Sequence, residues 1–255
     1  MKPQAMQYAA LTHRGNVRKR NEDSLYIPEG GSVDGLVIVA DGMGGYNAGD
    51  VASALGVKVA CHIFENDRRQ PLLPPVEQTM RRAFNEANRA ILEYAATNEF
   101  YQGMGTTMTM AALDIDRWLV GNVGDSRTYV ARGGVVEQVT RDHSLVQMMV
   151  DRGSMSREAA RQHPYRNVVT RAIGSESYTG ADIYTVAIAP GDVLLLCSDG
   201  LSNYVDEGDM AAALGASPTL AQASELLVRL ALERGGSDNV TVVLARAVGG
   251  DPDGR

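Results

Sequence analysis

Strand candidates that follow one another through tight turns limit the fold of this chain more than any other feature of its sequence. The strand pattern of apolar and β-branched residues occurs at 6–13, 35–40, 105–113, 118–123, 128–132, 135–140, 182–188, 192–197 and 240–246. Tight turns at 114–117 and 132–134 join neighbours in this series, and such hairpins pair strands antiparallel. Helix candidates stand apart at 48–64, 76–96 and 219–234, so the sequence predicts an α+β fold on antiparallel sheets.

A single domain accounts for this pattern. The proline-punctuated segment 68–75 connects two helix candidates and is not a domain boundary. Residues 141–174 form a region of a different kind, with two short helical patterns and an N-cap candidate at Ser156. We therefore expect one domain over residues 6–247, followed by a short C-terminal tail over 248–255.

Composition and charge exclude several classes of protein. The net charge of −7 leaves no broad basic face for the phosphate backbone of a nucleic acid. The longest apolar runs, 36–40 and 193–197, are a fraction of the roughly 20 residues that cross a bilayer. Residues 1–10 lack the pattern of a signal peptide, and Cys61 and Cys197 are typical of buried reduced thiols. We expect a cytoplasmic protein that binds no nucleic acid and does not insert into membranes.

Four aspartates lie at the ends of strand candidates, and they are Asp41, Asp125, Asp199 and Asp238. Carboxylates grouped at the edge of a buried sheet repel one another, so they stay ionised only beside positive charge, commonly a divalent cation. An all-oxygen donor set favours Mg²⁺ or Mn²⁺ over zinc. Glycine follows Asp41 and Asp199, which lets the backbone turn and present a carbonyl. Any single Asp-Gly pair is more often a plain turn, but the repetition favours a metal site.

Cations stand immediately before two carboxylates near the N-terminus. Arg18 belongs to a run of three cations, and Glu22 and Asp23 follow it in a stretch without helical pattern. An arginine guanidinium can donate two parallel hydrogen bonds to a phosphoryl group. Taken alone, such a run is more often a solvated surface. Beside a carboxylate metal site it indicates phosphate chemistry.

Six short motifs follow one another along the chain: RKRNED at 18–23, DGMGG at 41–45, GMGTT at 103–107, GDSR at 124–127, SDG at 198–200 and SDNVT at 237–241. In this order and spacing, over about residues 8–245, they resemble the metal-dependent protein phosphatases of type 2C, in their compact bacterial form. The resemblance implies a sandwich of two antiparallel β-sheets flanked by helix pairs, with the metals in a cleft at one edge.

The resemblance also implies the ligands of the metal ions. Asp41 corresponds to the carboxylate that bridges two Mn²⁺ or Mg²⁺ ions, and the carbonyl of Gly42 completes the protein ligands of the second ion. Asp199 and Asp238 correspond to ligands of the first ion. Asp125 corresponds to the ligand of a third, weaker ion. Asp41, Asp199 and Asp238 are thus expected to carry the catalysis together with an arginine.

That arginine is Arg18, which corresponds to the residue that binds the substrate phosphate. Glu22 and Asp23 correspond to an acidic pair that holds metal-bound waters. Residues 142–173 occupy the position of the flap, a segment beside the active site that influences the choice of substrate. Met43 stands where eukaryotic members have a histidine proposed as general acid, so the proton donor to the leaving group is unassigned.

The activity implied by the resemblance is hydrolysis of phosphoserine and phosphothreonine in proteins by a water that two metal ions activate. The implied partners are phosphoprotein substrates and a bacterial serine/threonine kinase whose action the enzyme opposes, and we expect a monomer. A water near Asp125 is our hypothesis for the proton donor, and His163 is a weaker candidate because a histidine before proline is more often a turn residue.

Other phosphatase chemistries lack their signatures. A cysteine phosphatase needs an arginine six residues after its thiolate, but Asp67 follows Cys61 and Asn203 follows Cys197 at that distance. A catalytically weak phosphoprotein-binding module on the same fold remains the alternative from a different class. Degenerate modules of that kind are expected to lack the metal carboxylates, which this chain retains.

Overall fold

Two antiparallel sheets form the centre of the computed structural model, which describes residues 5–28, 35–44 and 48–248. The first sheet contains, in spatial order, β1 (Ala5–His13), β11 (Val240–Val248), β10 (Val193–Cys197), β7 (Arg127–Arg132) and β8 (Val135–Gln138). The second contains β2 (Asp23–Tyr26), β3 (Leu36–Met43), β5 (Met108–Asp114), β6 (Arg117–Val123) and β9 (Asp182–Ala187), and the short β4 (Gly105–Thr106) pairs with the end of β3. The predicted antiparallel sandwich is confirmed.

Helices cover the outer face of each sheet. The second sheet carries α1 (Gly49–Arg68) and α2 (Val76–Ala95), and the first carries α6 (Glu207–Ala216) and α7 (Leu220–Glu233). The shorter helices are α3 (Leu145–Asp151), α4 (Arg157–Arg161), α5 (Asp199–Ser202) and a 3-10 turn at Glu99–Tyr101. The predicted helix pairs are therefore confirmed. Ser156 caps α4 as expected, since its hydroxyl accepts the Ala159 N–H at 3.2 Å. No helix in the described ranges is long and apolar enough to cross a bilayer.

The central strands are apolar on both faces because each face packs against a different layer. In β3, Leu36 and Ile38 pack under the helix pair, whereas Val37 and Val39 pack between the two sheets. Successive side chains of a strand point to opposite faces, so a strand that serves two cores becomes a continuous apolar run. β10 follows the same rule, and Cys197 packs beneath the helices as a free thiol.

The structure corrects several predicted boundaries. The strand that was expected to end before Asp41 continues through it to Met43. The strand predicted at 105–113 is divided into two. Four elements were not predicted. They are β2, which is half-buried on both faces, α6, whose alanines and glycines give little contrast between its faces, and the single turns of α5 and of the 3-10 segment Glu99–Tyr101. β11 extends to Val248, the first residue of the predicted tail.

The remaining tail residues, 249–255, lie outside the described residues, as does Gly45 of the motif at 41–45. The chain segment 142–173 forms α3 and α4 and rejoins the sheets through a bridge between Thr106 and Ile173. We keep the name flap for this segment. It stands beside the sandwich, as the sequence predicted for its two short helical patterns.

Gly121 provides a test of the packing between β6 and α2. A Cβ at this position would lie 2.5 Å from Cε2 of Phe84 and 2.8 Å from Sδ of Met80, both fully buried. We expect Gly121→Ala to lower the free energy of unfolding by about 1–3 kcal/mol, because a packed core resists an added methyl group. Gly215→Ala in α6 is the control, since a Cβ there meets nothing within 4 Å. Equal stability of both variants in urea denaturation would contradict this packing.

Candidate active site

Five aspartates meet at one edge of the sandwich and form what we call the acidic cluster. Asp41 is its centre, and its carboxylate interacts electrostatically with the four others. The members are Asp23 in β2, Asp41 in β3, Asp125 after β6, Asp199 at the start of α5 and Asp238 before β11. The sequence placed four of them at separate strand ends, and the fold brings all five together.

Close backbone contacts set the positions of two of these aspartates. A Cβ at Gly42 would lie 2.1 Å from the carbonyl oxygen of Gly49, and a Cβ at Gly200 would lie 1.9 Å from that of Asn239. Neither glycine has a positive φ. The sequence analysis explained these glycines by a sharp turn, and that explanation is wrong. Glycine is needed at both positions because two backbone segments approach too closely for a side chain.

The backbone of Asp41 is also fixed by two buried threonines. Its N–H donates to Oγ1 of Thr107 at 3.1 Å, and its carbonyl accepts from Oγ1 of Thr106 at 2.8 Å. In the sheet, Asp41 is the direct antiparallel partner of Asp23. These contacts hold two carboxylates at the sheet edge side by side before any cation is bound.

Burial and like charge make the acidic cluster electrostatically unfavourable. Burial raises the pKa of Asp41 well above its ordinary value, and the charges of Asp23 and Asp199 raise it further. Burial likewise raises the pKa of Asp125 well above the usual range. The pKa of Asp199 rises to about 6 and that of Asp23 to about 7, chiefly through burial. The cluster therefore needs positive charge in order to be ionised at neutral pH.

Arg18 supplies part of this charge. Its Nη2 donates to Oδ2 of Asp238 at 2.7 Å, and its side chain remains 52% exposed. Asp238 also accepts the N–H of Asn239 at 2.8 Å. One half-exposed guanidinium does not balance five carboxylates, so the shortage of positive charge remains.

The donor set fits a hard divalent cation. Oδ1 of Asp23 and Oδ1 of Asp199 are buried and have no hydrogen-bond partner in the described part of the chain. Unpaired buried carboxylate oxygens are costly unless a cation satisfies them. Asp41, Asp125, Asp199 and Asp238 with the carbonyl of Gly42 would hold the ions, and this ligand assignment stays a prediction.

The carboxylates are not arranged as a finished metal cage. Across the described ranges, no group of three or more acidic, histidine or cysteine side chains is arranged to hold a metal. Protein side chains donate to carboxylates of the cluster instead: Arg18 binds Asp238, and Nδ2 of Asn203 donates to Oδ2 of Asp199 at 3.1 Å. These hydrogen bonds do not remove the charge shortage or satisfy the unpaired oxygens, and a divalent cation is a stronger partner for a carboxylate than a protein hydrogen-bond donor.

Two hydroxyl groups that the sequence analysis did not single out fix Asp23. Its Oδ2 accepts from Oγ1 of Thr241 at 2.6 Å and from Oγ of Ser198 at 2.8 Å. Ser198 belongs to the SDG motif, directly before the expected ligand Asp199, and Thr241 belongs to the SDNVT motif, three residues after Asp238. Asp23 is thereby attached to the first sheet as well as the second. Its predicted role in holding metal-bound waters is compatible with this position and stays a prediction.

Asn239 was also missed, and it organises the loop that carries Arg18. Its Nδ2 donates to the carbonyls of Arg14 at 2.9 Å and Arg20 at 2.8 Å, while its Oδ1 accepts the N–H of Glu22 at 2.8 Å. A buried asparagine that uses both donors and its acceptor is a strong positional constraint. The sequence signal that could have identified Asn239 is its position directly after the expected ligand Asp238.

Glu22 lies at the border of the acidic cluster. Its side chain is half-buried, and burial raises its pKa while the nearby charge of Arg18 lowers it. Its carbonyl accepts the N–H of Gly42 at 3.1 Å and Oγ of Ser53 at 2.6 Å. Glu22 is thus joined to β3 through its backbone, and its carboxylate remains able to bind water.

His143 connects the flap to the turn that contains Asp125. The ring Nδ1 of His143 accepts the backbone N–H of Gly124 at 3.0 Å, and the backbone N–H of His143 donates to the carbonyl of Gly124 at 2.9 Å. The Nε2 atom lies 3.0 Å from Oδ2 of Asp182 and 2.9 Å from Nη1 of Arg171. By contrast, His163 has the turn role, since its Nδ1 accepts the N–H of Tyr165 at 3.2 Å.

The raised pKa values predict how stability changes with pH in the absence of metal. Acids whose pKa is higher in the folded state stabilise the protein fully below the unfolded pKa, near 4, and this contribution is lost as pH rises through the folded pKa. We therefore expect the melting temperature in EDTA to fall between about pH 5 and pH 8, through the pKa values of Asp199 and Asp23. The lowered pKa of buried His143 acts in the opposite direction, but it is one group against the five acids whose pKa is raised, namely Glu22, Asp23, Asp41, Asp125 and Asp199.

Mn²⁺ should reverse this loss, and more strongly at pH 8 than at pH 5, because protons compete with the cation for the carboxylates. Scanning calorimetry with and without Mn²⁺ makes the measurement. A melting temperature in EDTA that stays level or rises with pH would contradict the electrostatic account of the acidic cluster.

Comparisons with known proteins agree with this architecture. The family model described as "Protein phosphatase 2C" matches residues 12–232. The serine/threonine phosphatase stp of Listeria monocytogenes is 38% identical over 233 residues, which cover 91% of this chain and 92% of that protein. The serine/threonine protein phosphatase PstP of Mycobacterium tuberculosis is 38% identical over 243 residues, 95% of this chain and 45% of that longer protein.

Solved structures show the same fold. The phosphatase Stp1 of Staphylococcus aureus superposes with a TM-score of 0.89 at 33% identity, covering 97% of each chain. The catalytic domain of PstP, solved with two manganese ions, superposes with a TM-score of 0.84 at 36% identity, covering 96% of this chain and 99% of that one. The family match, the level of identity and the shared fold lead to one conclusion: the chain belongs to the protein phosphatase 2C family.

Proposed function

We propose that this chain is a metal-dependent protein phosphatase that hydrolyses phosphoserine and phosphothreonine in proteins. The observation that carries the proposal is the acidic cluster, in which five aspartates share one sheet edge and two buried carboxylate oxygens lack a partner among the described residues. The activities named for its relatives, the Listeria phosphatase stp and the mycobacterial PstP, support the same substrate class.

The cofactor is a pair of Mn²⁺ or Mg²⁺ ions, with a third ion at Asp125. When bound, the ions supply an activated water and neutralise charge on the phosphoryl oxygens. The relative PstP has been solved with two manganese ions, which supports this stoichiometry. Asp41, Asp199 and Asp238 hold the pair together with the carbonyl of Gly42, and their orientation depends on the backbone contacts described above.

Arg18 binds the substrate phosphate in this proposal. Among the described residues, the Arg18 side chain donates a hydrogen bond to Asp238 alone. The other N–H groups of the guanidinium are therefore available to phosphoryl oxygens. Asn239 holds the loop around Arg18 through three hydrogen bonds, so the guanidinium is positioned before the substrate arrives. Glu22 and Asp23 orient water at the border of the cluster.

The leaving group needs a proton that position 43 cannot provide, because the thioether of Met43 carries none. We place the donor at a water held beside Asp125, a buried residue. A divalent ion bound at Asp125 would lower the pKa of its water, and that water could then pass a proton to the leaving group. His163 is the less favoured candidate, since it serves a turn in the flap.

The cellular setting follows from the same proposal. The substrates are phosphoproteins, and the enzyme opposes a bacterial serine/threonine kinase. A cytoplasmic monomer with its catalytic domain over residues 6–247 is the form that we expect. The two free cysteines among the described residues support a reducing compartment.

Asp41→Asn tests the metal-dependent reaction most simply. Removing one charge from the centre of the cluster should lower Mn²⁺-dependent hydrolysis of p-nitrophenyl phosphate and of a phosphothreonine peptide by at least about a hundredfold, since metal-assisted catalysis contributes several kcal/mol. Asp116→Asn, in the exposed hairpin turn after β5, is the matched control and should keep full activity. Phosphopeptide binding without any turnover in the unmodified protein would favour the regulatory module instead.

Asp125→Asn tests the proposed proton donor. Alkyl phosphate esters have poor leaving groups that need a proton, whereas p-nitrophenolate leaves without one. We expect the variant to lose on the order of a hundredfold in kcat on alkyl esters and much less on p-nitrophenyl phosphate. Unchanged hydrolysis of the alkyl esters would exclude this role for Asp125.

A further inference from the structure

A cavity of about 900 Å³ lies between the flap and α6, beside the acidic cluster. The flap forms one wall, and residues 202–207 form another. Asn203 lines the cavity and also donates its hydrogen bond to Asp199, so one side chain borders both the cavity and the cluster. A polypeptide bound at the cluster can therefore extend directly into this space.

Five arginines line the cavity, and three of them are neutralised by neighbouring carboxylates. The neutralised pairs are Arg127 with Asp142 at 2.7 Å, Arg161 with Glu207 at 2.8 Å, and Arg141 with Asp151. These pairs hold the wall of the cavity in place. The Arg161 pair joins the flap to α6 across the cavity.

The other two arginines, Arg157 and Arg166, have no salt bridge within the described ranges of the chain. Arg166 is half-buried, and no carboxylate lies within 4.0 Å of its guanidinium. Arg157 interacts electrostatically with Asp151 and Glu158 but pairs with neither. The cavity thus contains two cationic groups whose hydrogen-bond donors are open to a ligand.

The lining carboxylates that are outside salt bridges already have partners of their own. Asp206 caps α6, where its Oδ1 accepts the N–H of Asp209 at 2.9 Å. Glu158 lies in the first turn of α4, where hydrogen bonds from its own N–H and from Ser156 lower its pKa. Negative charge at a helix N-terminus is stabilised by the helix itself. Neither carboxylate forms a salt bridge with Arg166 or Arg157 among the described residues, so the hydrogen-bond donors of both guanidinium groups stay open to a ligand.

We infer that this cavity binds a second anionic group of the phosphoprotein substrate, a carboxylate or a further phosphate near the phosphorylated residue, through Arg166 and Arg157. The inference rests on the proposed function. Because Asn203 borders both the cavity and the acidic cluster, and an extended chain advances about 3.3 Å per residue, we expect the anion within a few residues of the phosphorylated side chain. The guanidinium fork suits both carboxylate and phosphate.

The overall charge of the protein makes such a site selective. With a net charge of −7, the chain repels acidic polypeptides at long range. Two unpaired arginines in the cavity offset that repulsion locally. They do so only for a substrate whose second anion has the correct spacing from the phosphorylated residue. The cavity therefore discriminates among phosphoproteins by the residues that flank the phosphate.

The test uses phosphothreonine peptides in which one aspartate, or one phosphoserine, is moved through the positions on either side of the phosphothreonine. The alanine peptide is the reference, and kcat/KM is measured with Mn²⁺ at low and high salt. We expect one position to raise kcat/KM about tenfold, with the gain lost at high salt. The peptide with the larger gain identifies whether carboxylate or phosphate is preferred.

Arg166→Gln and Arg157→Gln should remove this gain while leaving kcat/KM on p-nitrophenyl phosphate and on the alanine peptide unchanged. Arg152→Gln, an exposed flap arginine outside the cavity lining, is the matched control and should keep the gain. Melting temperatures verify that the variants fold. Equal kcat/KM for all peptides, or a gain that survives in both cavity variants, would overturn the inference. Absence of Mn²⁺-dependent turnover on the alanine peptide would instead refute the proposed function.

Discussion

Repulsion among carboxylates that are half-buried or buried is the interaction on which the rest of this structure depends. Asp41 and Asp23 are paired across neighbouring strands, and Asp199 and Asp238 reach the same place from the other sheet. Hydrophobic cores on both faces of the strands provide the stability that holds these like charges together. The site is therefore strained electrostatically as long as no cation is bound, and that strain becomes affinity for divalent metal.

Polar residues around the acidic cluster hold its carboxylates and the loop that carries Arg18 in defined positions. Ser198 and Thr241 attach Asp23 to the first sheet, and Asn239 fixes the loop that carries Arg18. The flap is attached to the Asp125 turn through His143, so the flap and the acidic cluster share one support. In the proposed reaction the chemistry takes place where the two sheets meet, and we infer that the flap beside them contributes to the choice of substrate.

Much of this arrangement was predictable from the sequence, because its cause is local. Apolar runs that end in aspartate marked the strands and the acidic residues, and proline and glycine marked the helix ends. The half-buried β2 and the alanine-rich α6 were missed because neither has a strong periodic pattern. The roles of Thr241 and Asn239 depend on contacts between residues more than 200 positions apart, which no local pattern contains. The glycines at 42 and 200 were identified, but close backbone approach explains them better than a turn.

Anomalous diffraction from crystals soaked in Mn²⁺ tests the central claim most directly. The account predicts two strong manganese peaks in the cleft bounded by Asp41, Asp199 and Asp238, with the Gly42 carbonyl as a further ligand. It also predicts that Oδ1 of Asp199, unpartnered among the described residues, turns to an ion. Peaks elsewhere on the surface, or an empty cleft at millimolar Mn²⁺, would contradict it.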